Sequence, residues 1–336
     1  MKTRLSLLLS LALSLVGCAG AETPAAEEAT ALPVVAGDVC EVDSPRAVPL
    51  ELFVQPEVGT APFVGAIERA QSSLDVMVYQ MGFGPILSGL EAKARAGVRV
   101  RVILDYEQRD VNQRYMDRLR EAGADVVWSD PRFVFMHAKV ILSDRKEAIL
   151  STGNYSESYM LRERNLAVRD ADPADVAVIG RIFDADFARV DVDLSCTRLV
   201  VAPVNARQRL LDLIGSAKET LLVHSMQFGD PEIRAAVAAR KAAGVDVRVL
   251  LADPSWIDAN ASAGTFLAEH GIPVRWRKHL HIKSIVADGR AYVGSINLSK
   301  NSITNNREVG VVMTEPANVA LERATFDRDW AEATPF

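Results

Sequence analysis

Apolar and polar positions along this chain fall into blocks, and the blocks come twice. "LDVMVYQM" (74–81) and "TLLVHSMQF" (220–228) are apolar runs of strand composition. Each leads into an Ala-rich amphipathic segment ending in Ala-Gly-Val, at 96–98 and 243–245, where the glycine suits a helix C-terminus. A Val-rich alternating strand follows, "VRVRVIL" (98–104) or "VDVRVLL" (245–251). At an offset of 147 residues the stretch 70–104 lies over 217–251 without a gap, with Gln80 on Gln227, Gly82 on Gly229 and Gly97 on Gly244. Strand–helix–strand alternation predicts a parallel or mixed sheet covered by helices. Written twice, it predicts two α/β domains related by a pseudo-twofold axis, each a mixed, mostly parallel β-sheet flanked by helices. Residues repeated near such an axis converge on one site.

A second pair of matching stretches carries the chemistry: "HAKVILSDRKEAILSTGN" (137–154) and "HIKSIVADGRAYVGSIN" (281–297). Residues two apart in a strand face the same way, so His137 points with Lys139 and His281 with Lys283. A turn follows, "SDRK" or "ADGR", and Asp-Gly is a strong hairpin signal. A returning strand then leads to a small polar stretch, "STGN" or "GSIN". Two imidazoles, two ammonium groups and several neutral donors suit a tetrahedral anion. The lysines neutralise nonbridging phosphate oxygens, and Asn amide and Ser hydroxyl groups donate to them. One histidine attacks phosphorus, and the other protonates the leaving oxygen and then activates water. No metal or other cofactor is expected, because a lysine two residues from each histidine repels a divalent cation. Zinc held by His and Asp is the alternative.

His-x-Lys-(x)4-Asp, present twice and followed each time by that polar stretch, resembles the phospholipase D superfamily over roughly residues 48–330. The resemblance implies a metal-independent phosphodiesterase with its site between two α/β domains. It marks His137, Lys139 and Asp144, with His281, Lys283 and Asp288, as the motif residues, and implies that Lys139, Lys283, Asn154 and Asn297, with Ser295 and Thr152, bind phosphate oxygens. His137 is the expected nucleophile, as the first motif's histidine is in several relatives. Asp144 and Asp288 belong to the pattern, but their place at the turns predicts a structural role. Glu308, in "NNREVGVV", matches an acidic residue that orients a histidine in relatives, and Asn165, in "RERNLAV", holds the equivalent place. This departure, with "STGN" in place of Gly-Ser, makes the halves unequal. The two histidines are therefore expected to titrate differently.

The 336 residues suit two domains of about 150 residues each. Apolar residues make up 49% and charged residues 24%, an ordinary globular balance. Lys2 and Arg4 precede the apolar run Leu5–Val16, which falls short of the roughly 20 residues a membrane span needs. It reads as a signal peptide over 1–17. Leu-Val-Gly-Cys looks like a bacterial lipobox, so Cys18 is the expected lipidation site; ordinary cleavage near Ala19 or Ala21 is the alternative. A tether over 18–45, a first repeat over 46–195 and a second over 196–336 follow. Losing Lys2 and Arg4 moves the net charge from −6 to −8, which disfavours sequence-blind nucleic-acid binding. Cys40 and Cys196 form a disulfide in an exported protein or remain two buried thiols.

Other residues keep two readings each. His224, His270 and His279 are not paired with a lysine in the motif sense, and His279, two residues before His281, either brushes the site or lies at the surface or rim. Arg162, Arg164, Arg275, Arg277 and Lys278 either guide an anionic substrate or are solvated. Phe133, Phe135 and Trp276 form an apolar rim or pack in the core. Gln80 and Gln227 line the cleft floor or form a core pair. The sequence points to an exported phosphodiesterase acting on phospholipid head groups, with water or an alcohol as acceptor. The partners implied are a phospholipid and, through the lipid anchor, a membrane. A nuclease is the second reading, and a surface-binding lipoprotein without turnover the third.

Overall fold

The structure, a computed structural model, describes residues 40–336. The expected signal peptide, Cys18 and most of the tether lie outside them. The first repeat runs β1 (Glu51–Gln55), α1 (Ala61–Arg69), β2 (Ser73–Val78), α2 (Pro85–Arg95), β3 (Arg99–Leu104) and α3 (Arg109–Glu121). It continues with β4 (Asp125–Trp128), β5 (Val140–Ser143), β6 (Glu147–Ser151), α4 (Glu157–Met160), β7 (Asn165–Asp170) and α5 (Pro173–Ala188). The second repeat retraces this path: β8 (Val200–Ala202), α6 (Ala206–Ser216), β9 (Thr220–Ser225), α7 (Pro231–Ala242), β10 (Asp246–Ala252) and α8 (Asn260–Glu269). It ends with β11 (Val274–Arg277), β12 (Lys283–Ala287), β13 (Arg290–Gly294), α9 (Lys300–Thr304), β14 (Glu308–Met313), α10 (Pro316–Glu332) and β15 (Thr334–Pro335).

One sheet has the order β1-β7-β6-β5-β2-β3-β4, and the other β15-β11-β10-β9-β12-β13-β14-β8. Apart from the added β15, the second order matches the first strand for strand. The balance within each sheet differs from expectation. Only β2-β3-β4 and β9-β10-β11 run parallel; every other neighbour is antiparallel. The sheets are mixed but mostly antiparallel, because each motif hairpin (β5-β6, β12-β13) brings in strands that reverse by tight turns instead of helical crossovers.

Local chemistry explains the element ends. Gly97 (φ +86°) and Gly244 (φ +88°) follow the last turns of α2 and α7, a conformation that a Cβ disfavours. Asp230 caps α7 by accepting from the Glu232 and Ile233 amides, and Asp172 caps α5 through the Ala174 amide.

The sheets share a central core. It joins Met77 and Ile103 of one sheet to Leu222 and Leu250 of the other, with Ile179 and Phe183 of α5 and Phe326 of α10. Separate clusters bury the outer helices of each repeat. Cys40 and Cys196 are joined as a disulfide, 156 residues apart in sequence. Beside it Arg198 and Arg46 share Asp175 at 2.8 Å each, tying the start of the described chain to the link between repeats. No described helix is long and apolar enough to cross a membrane.

Candidate active site

His137 and His281 stand just before the hairpin strands β5 and β12, in segments that pair across the two repeats. The amides of His137 and Ala138 both donate to Arg307 O at 2.9 Å. Reciprocally, the His281 amide donates to Arg164 O at 2.9 Å, and the Arg164 amide to His279 O at 2.8 Å. Each motif is therefore clamped by the chain that leads into the other repeat's late strand, β14 or β7.

The side chains cross in the same way. His137 Nδ1 lies 2.9 Å from Glu308 Oε2. A carboxylate only accepts, so Nδ1 carries the proton and a neutral ring presents its lone pair at Nε2. The other Glu308 oxygen accepts from Ser302 and, at 3.1 Å, from Asn306 Nδ2. His281 Nδ1 lies 3.0 Å from Asn165 Oδ1. That oxygen also takes the Thr152 hydroxyl at 2.8 Å, while Thr152 Oγ1 accepts the Leu166 amide. Asn165 therefore presents its oxygen to the ring, and His281 holds the same tautomer as His137. Glu163 Oε2 stands 3.4 Å from His281 Nδ1.

Lys139 and Lys283 lie beneath the rings, 1% and 0% exposed, against 8% and 4% for the histidines. Each ammonium donates to the carbonyl of its own motif histidine, and Lys283 reaches Thr152 O at 3.2 Å. Lys283 is thus bonded into the first repeat, which places both ammonium groups at one site.

Electrostatics follow from that packing. Burial, opposed by Glu308 and reinforced by both lysines, lowers His137 to about 4. His281 lies well below its ordinary value through burial, Lys283, Lys139 and His137. Burial lowers Lys139 to about 7, and burial with Lys139 drives Lys283 well below its ordinary value. Burial would raise Glu308, but His137, Lys139 and hydrogen bonds hold it below the usual range. Four basic groups held below their ordinary values beside one ionised carboxylate make a buried pocket whose groups would be favoured in their protonated forms by an entering anion.

Asn154 and Asn297 follow the returning strands β6 and β13, 8% and 9% exposed, and their buried Oδ1 atoms have no protein partner. Thr152 and Ser295, expected at a substrate phosphate, are turned elsewhere. Both are fully buried. Thr152 holds Asn165, and Ser295 bonds the Val309 backbone at 3.2 and 3.3 Å and supports Glu308. Asp144 and Asp288 are not at the site. They lie at the far hairpin turns with φ of +50°. Asp144 accepts from the Gln71, Ser72 and Ser73 amides at 2.7–2.9 Å, and Asp288 from those of Lys218, Glu219 and Thr220 at 2.7–3.1 Å. They pin the hairpins to the starts of β2 and β9.

The flanking residues divide. Arg164 is buried against Glu57 and Asp329. Arg275 bonds Trp330 O, and Arg277 bonds Glu332. These three do not face a substrate. Arg162, Lys278 and His279 line a cavity of about 410 Å³ with Glu163, Asp253 and Trp256. Trp276 packs on Phe336, not on the opening. Phe135 lies edge-on to Tyr79, and Arg307 covers Phe133 at 4.2 Å. Gln80 bonds Gln108 instead of its repeat partner Gln227. His224, which pairs with no motif lysine, lies in β9. It is fully buried, 3.1 Å from Glu322 and 3.4 Å from Asp329.

Several neighbours escaped the sequence reading. Tyr79 lies edge-on to the His137 ring at 4.8 Å, and Trp256 against that of His281 at 5.9 Å. Asp105, buried and raised to about 7 by that burial, takes the amide of Met136 beside His137. None lies in the His-x-Lys motifs, although Tyr79 stands in the repeated run 74–81 and Asp105 directly follows the repeated strand 98–104. Among the described residues, no three His, Cys, Asp or Glu side chains gather as a metal-ligand set.

Two mixed sheets, matched strand for strand and meeting at crossed histidine–lysine couples, define a phospholipase D-like architecture. The family model described as "Cardiolipin synthase, PLD-like domain" matches residues 63–187 and 210–330, and the chain belongs to that family. A cardiolipin synthase of Clostridium perfringens is 24% identical over 304 residues, covering 72% of this chain and 61% of that protein. The chain thus spans about three fifths of the length of these curated relatives. A mitochondrial cardiolipin hydrolase of Mus musculus is 31% identical over 131 residues, 38% of this chain and 59% of that protein. The solved phosphatidylserine synthase of Haemophilus influenzae shares the fold with a TM-score of 0.67 at 13% identity, covering 89% of each chain.

Proposed function

We propose that this protein is a phosphodiesterase of the phospholipase D type that hydrolyses or transphosphatidylates phospholipid head-group phosphodiesters through a phosphohistidine. One observation carries the reading: each imidazole–ammonium couple is completed by a residue of the other repeat, so both serve one anion. In the first step His137 Nε2 attacks phosphorus while the bond to the leaving alcohol oxygen breaks. His281, protonated in the anion-bound state, gives that oxygen its proton. Lys139, Lys283, Asn154 and Asn297 hold the nonbridging oxygens. In the second step water or an alcohol loses its proton to His281 and attacks phosphorus, and the P–N bond to His137 breaks. His137 is the nucleophile in this reading because Glu308 fixes its Nδ1 proton and steadies the cation that forms. The alcohol enters through the cavity beside Trp256. Relatives named as a cardiolipin synthase and a cardiolipin hydrolase favour a phospholipid over a nucleic acid.

We also propose that the protein is exported and lipid-anchored to the cell envelope. The apolar run ending at Cys18 supports this, as does the Cys40–Cys196 disulfide, a bond that persists in oxidising compartments.

The deciding assay offers full-length protein phosphatidylglycerol vesicles, phosphatidylcholine vesicles and single-stranded DNA in EDTA. Release of glycerol or choline, or formation of cardiolipin, is expected. Cleaved DNA with intact lipid would establish a nuclease instead, and no turnover of any would defeat both.

A further inference from the structure

The two repeats spell one triplet in opposite orders. Repeat two reads Asn306-Arg307-Glu308, and repeat one reads Glu163-Arg164-Asn165. Acid and amide have exchanged places about a common arginine. The arginines are equivalent, since the carbonyl of each takes the amide of the opposite motif histidine at 2.9 Å. The acid and amide also touch in both halves: Asn306 Nδ2 donates to Glu308 Oε1 at 3.1 Å, and Asn165 Nδ2 to Glu163 Oε2 at 3.4 Å. Each histidine therefore meets an amide–carboxylate pair. For His137 the carboxylate is in contact, and for His281 the amide oxygen is, with the carboxylate 3.4 Å from the same Nδ1.

We propose that Glu163 is a positioning residue for His281, supplying from two residues upstream the counter-charge that Glu308 gives His137. This rests on the reading of His281 as the proton donor. An amide oxygen can aim Nδ1–H but cannot balance an imidazolium, whereas a carboxylate does both. The basic groups facing His281 all oppose its protonation: Lys283 at the start of β12, and Lys139 and His137 from the first repeat. Glu163 in turn faces Lys283, His279 and Arg162, with Asp253 and Lys278 across the shared cavity. Its side chain is 13% exposed, so it lies at the site and not in open solvent.

The test compares wild type, Glu163→Gln, and the exchange Glu163→Asn/Asn165→Glu, which rewrites the triplet in the order of repeat two. The His281 ring is titrated by NMR on full-length protein with labelled histidines, in inorganic phosphate, and the pH profile of kcat is measured alongside. Glu163→Gln should lower the His281 titration by about one pH unit and leave His137 unmoved. The alkaline limb of kcat should move down by the same amount, with kcat reduced about tenfold. The exchange should restore both. An unmoved His281 titration in Glu163→Gln would overturn the proposal, as would a folded exchange variant as impaired as the single one. The ring titration needs no substrate, so it decides the role of Glu163 even if the enzyme turns over none of the offered phosphodiesters.

Discussion

His137 and His281 occupy equivalent frames and are held there by different atoms, a carboxylate oxygen and an amide oxygen. If both act on one phosphorus, His137→Ala and His281→Ala should each lower turnover by about a thousandfold or more. Acid-quenched mass spectrometry of enzyme caught in turnover should find phosphate on His137 and none in His137→Ala. The site's charge sets a second expectation. An entering anion raises pKa values that burial had lowered, Lys139 from about 7 and His137 from about 4. Binding then takes up protons, so affinity for inorganic phosphate should fall as pH rises from about 6 to 8. Calorimetry in two buffers of different ionisation enthalpy would read the uptake directly; an affinity that rises with pH would contradict it. At this scale the motif histidines and lysines were legible because they are repeated. Thr152 and Ser295 misled, since small hydroxyls near a phosphate site look alike in sequence whether they face substrate or support a neighbour. Gly153 shows the same limit: a Cβ there would lie 2.7 Å from the Asn165 side chain, so its smallness makes room for the orienting amide.

Each motif hairpin carries histidine and lysine at one end and an aspartate anchor at the other. Burial would raise Asp144, but its amide and hydroxyl donors outweigh it and hold the carboxyl at about 2. A depressed carboxyl stabilises the fold above its unfolded value of 3.8 and loses that contribution as pH falls toward 2. Asp144→Ala and Asp288→Ala should each destabilise by about 1–3 kcal/mol at neutral pH, leaving kcat of the folded protein within about twofold. The Asp144→Ala difference should shrink in urea melts near pH 3. A collapse of kcat without loss of stability would return these aspartates to the chemistry. The turns were legible from Asp-Gly and the chain reversal. The antiparallel majority was not, because a short apolar strand reads the same whichever way its neighbour runs.

Across the whole molecule, charge and covalent links decide how the repeats stay together. The disulfide closes a loop of 156 residues, and the chain-entropy model puts its contribution at up to about 5 kcal/mol. Cys40→Ser/Cys196→Ser should lower Tm markedly while kcat at 25 °C is kept. Buried His224 links β9 to α10 through Glu322 and Asp329; burial would lower it, but the two carboxylates raise it. A raised histidine stabilises below its unfolded value and loses that contribution as pH climbs through its folded one. His224→Asn should therefore cost most at mildly acidic pH and least in alkali, as pH-dependent melts would show. The repeat made the paired architecture legible. This ionic cluster was not, because its members lie about 100 residues apart in sequence.

The crossing of the orienting residues bears on how such a chain can change. Were the halves separate identical subunits, every substitution would strike both histidines alike, and neither could specialise. Tethered in one polypeptide, each half can drift alone, and Glu stands in one triplet's last place and Asn in the other's. If the two rings act on one phosphorus, either half alone should be inert, since each would carry a ring without its partner and a partner without its ring.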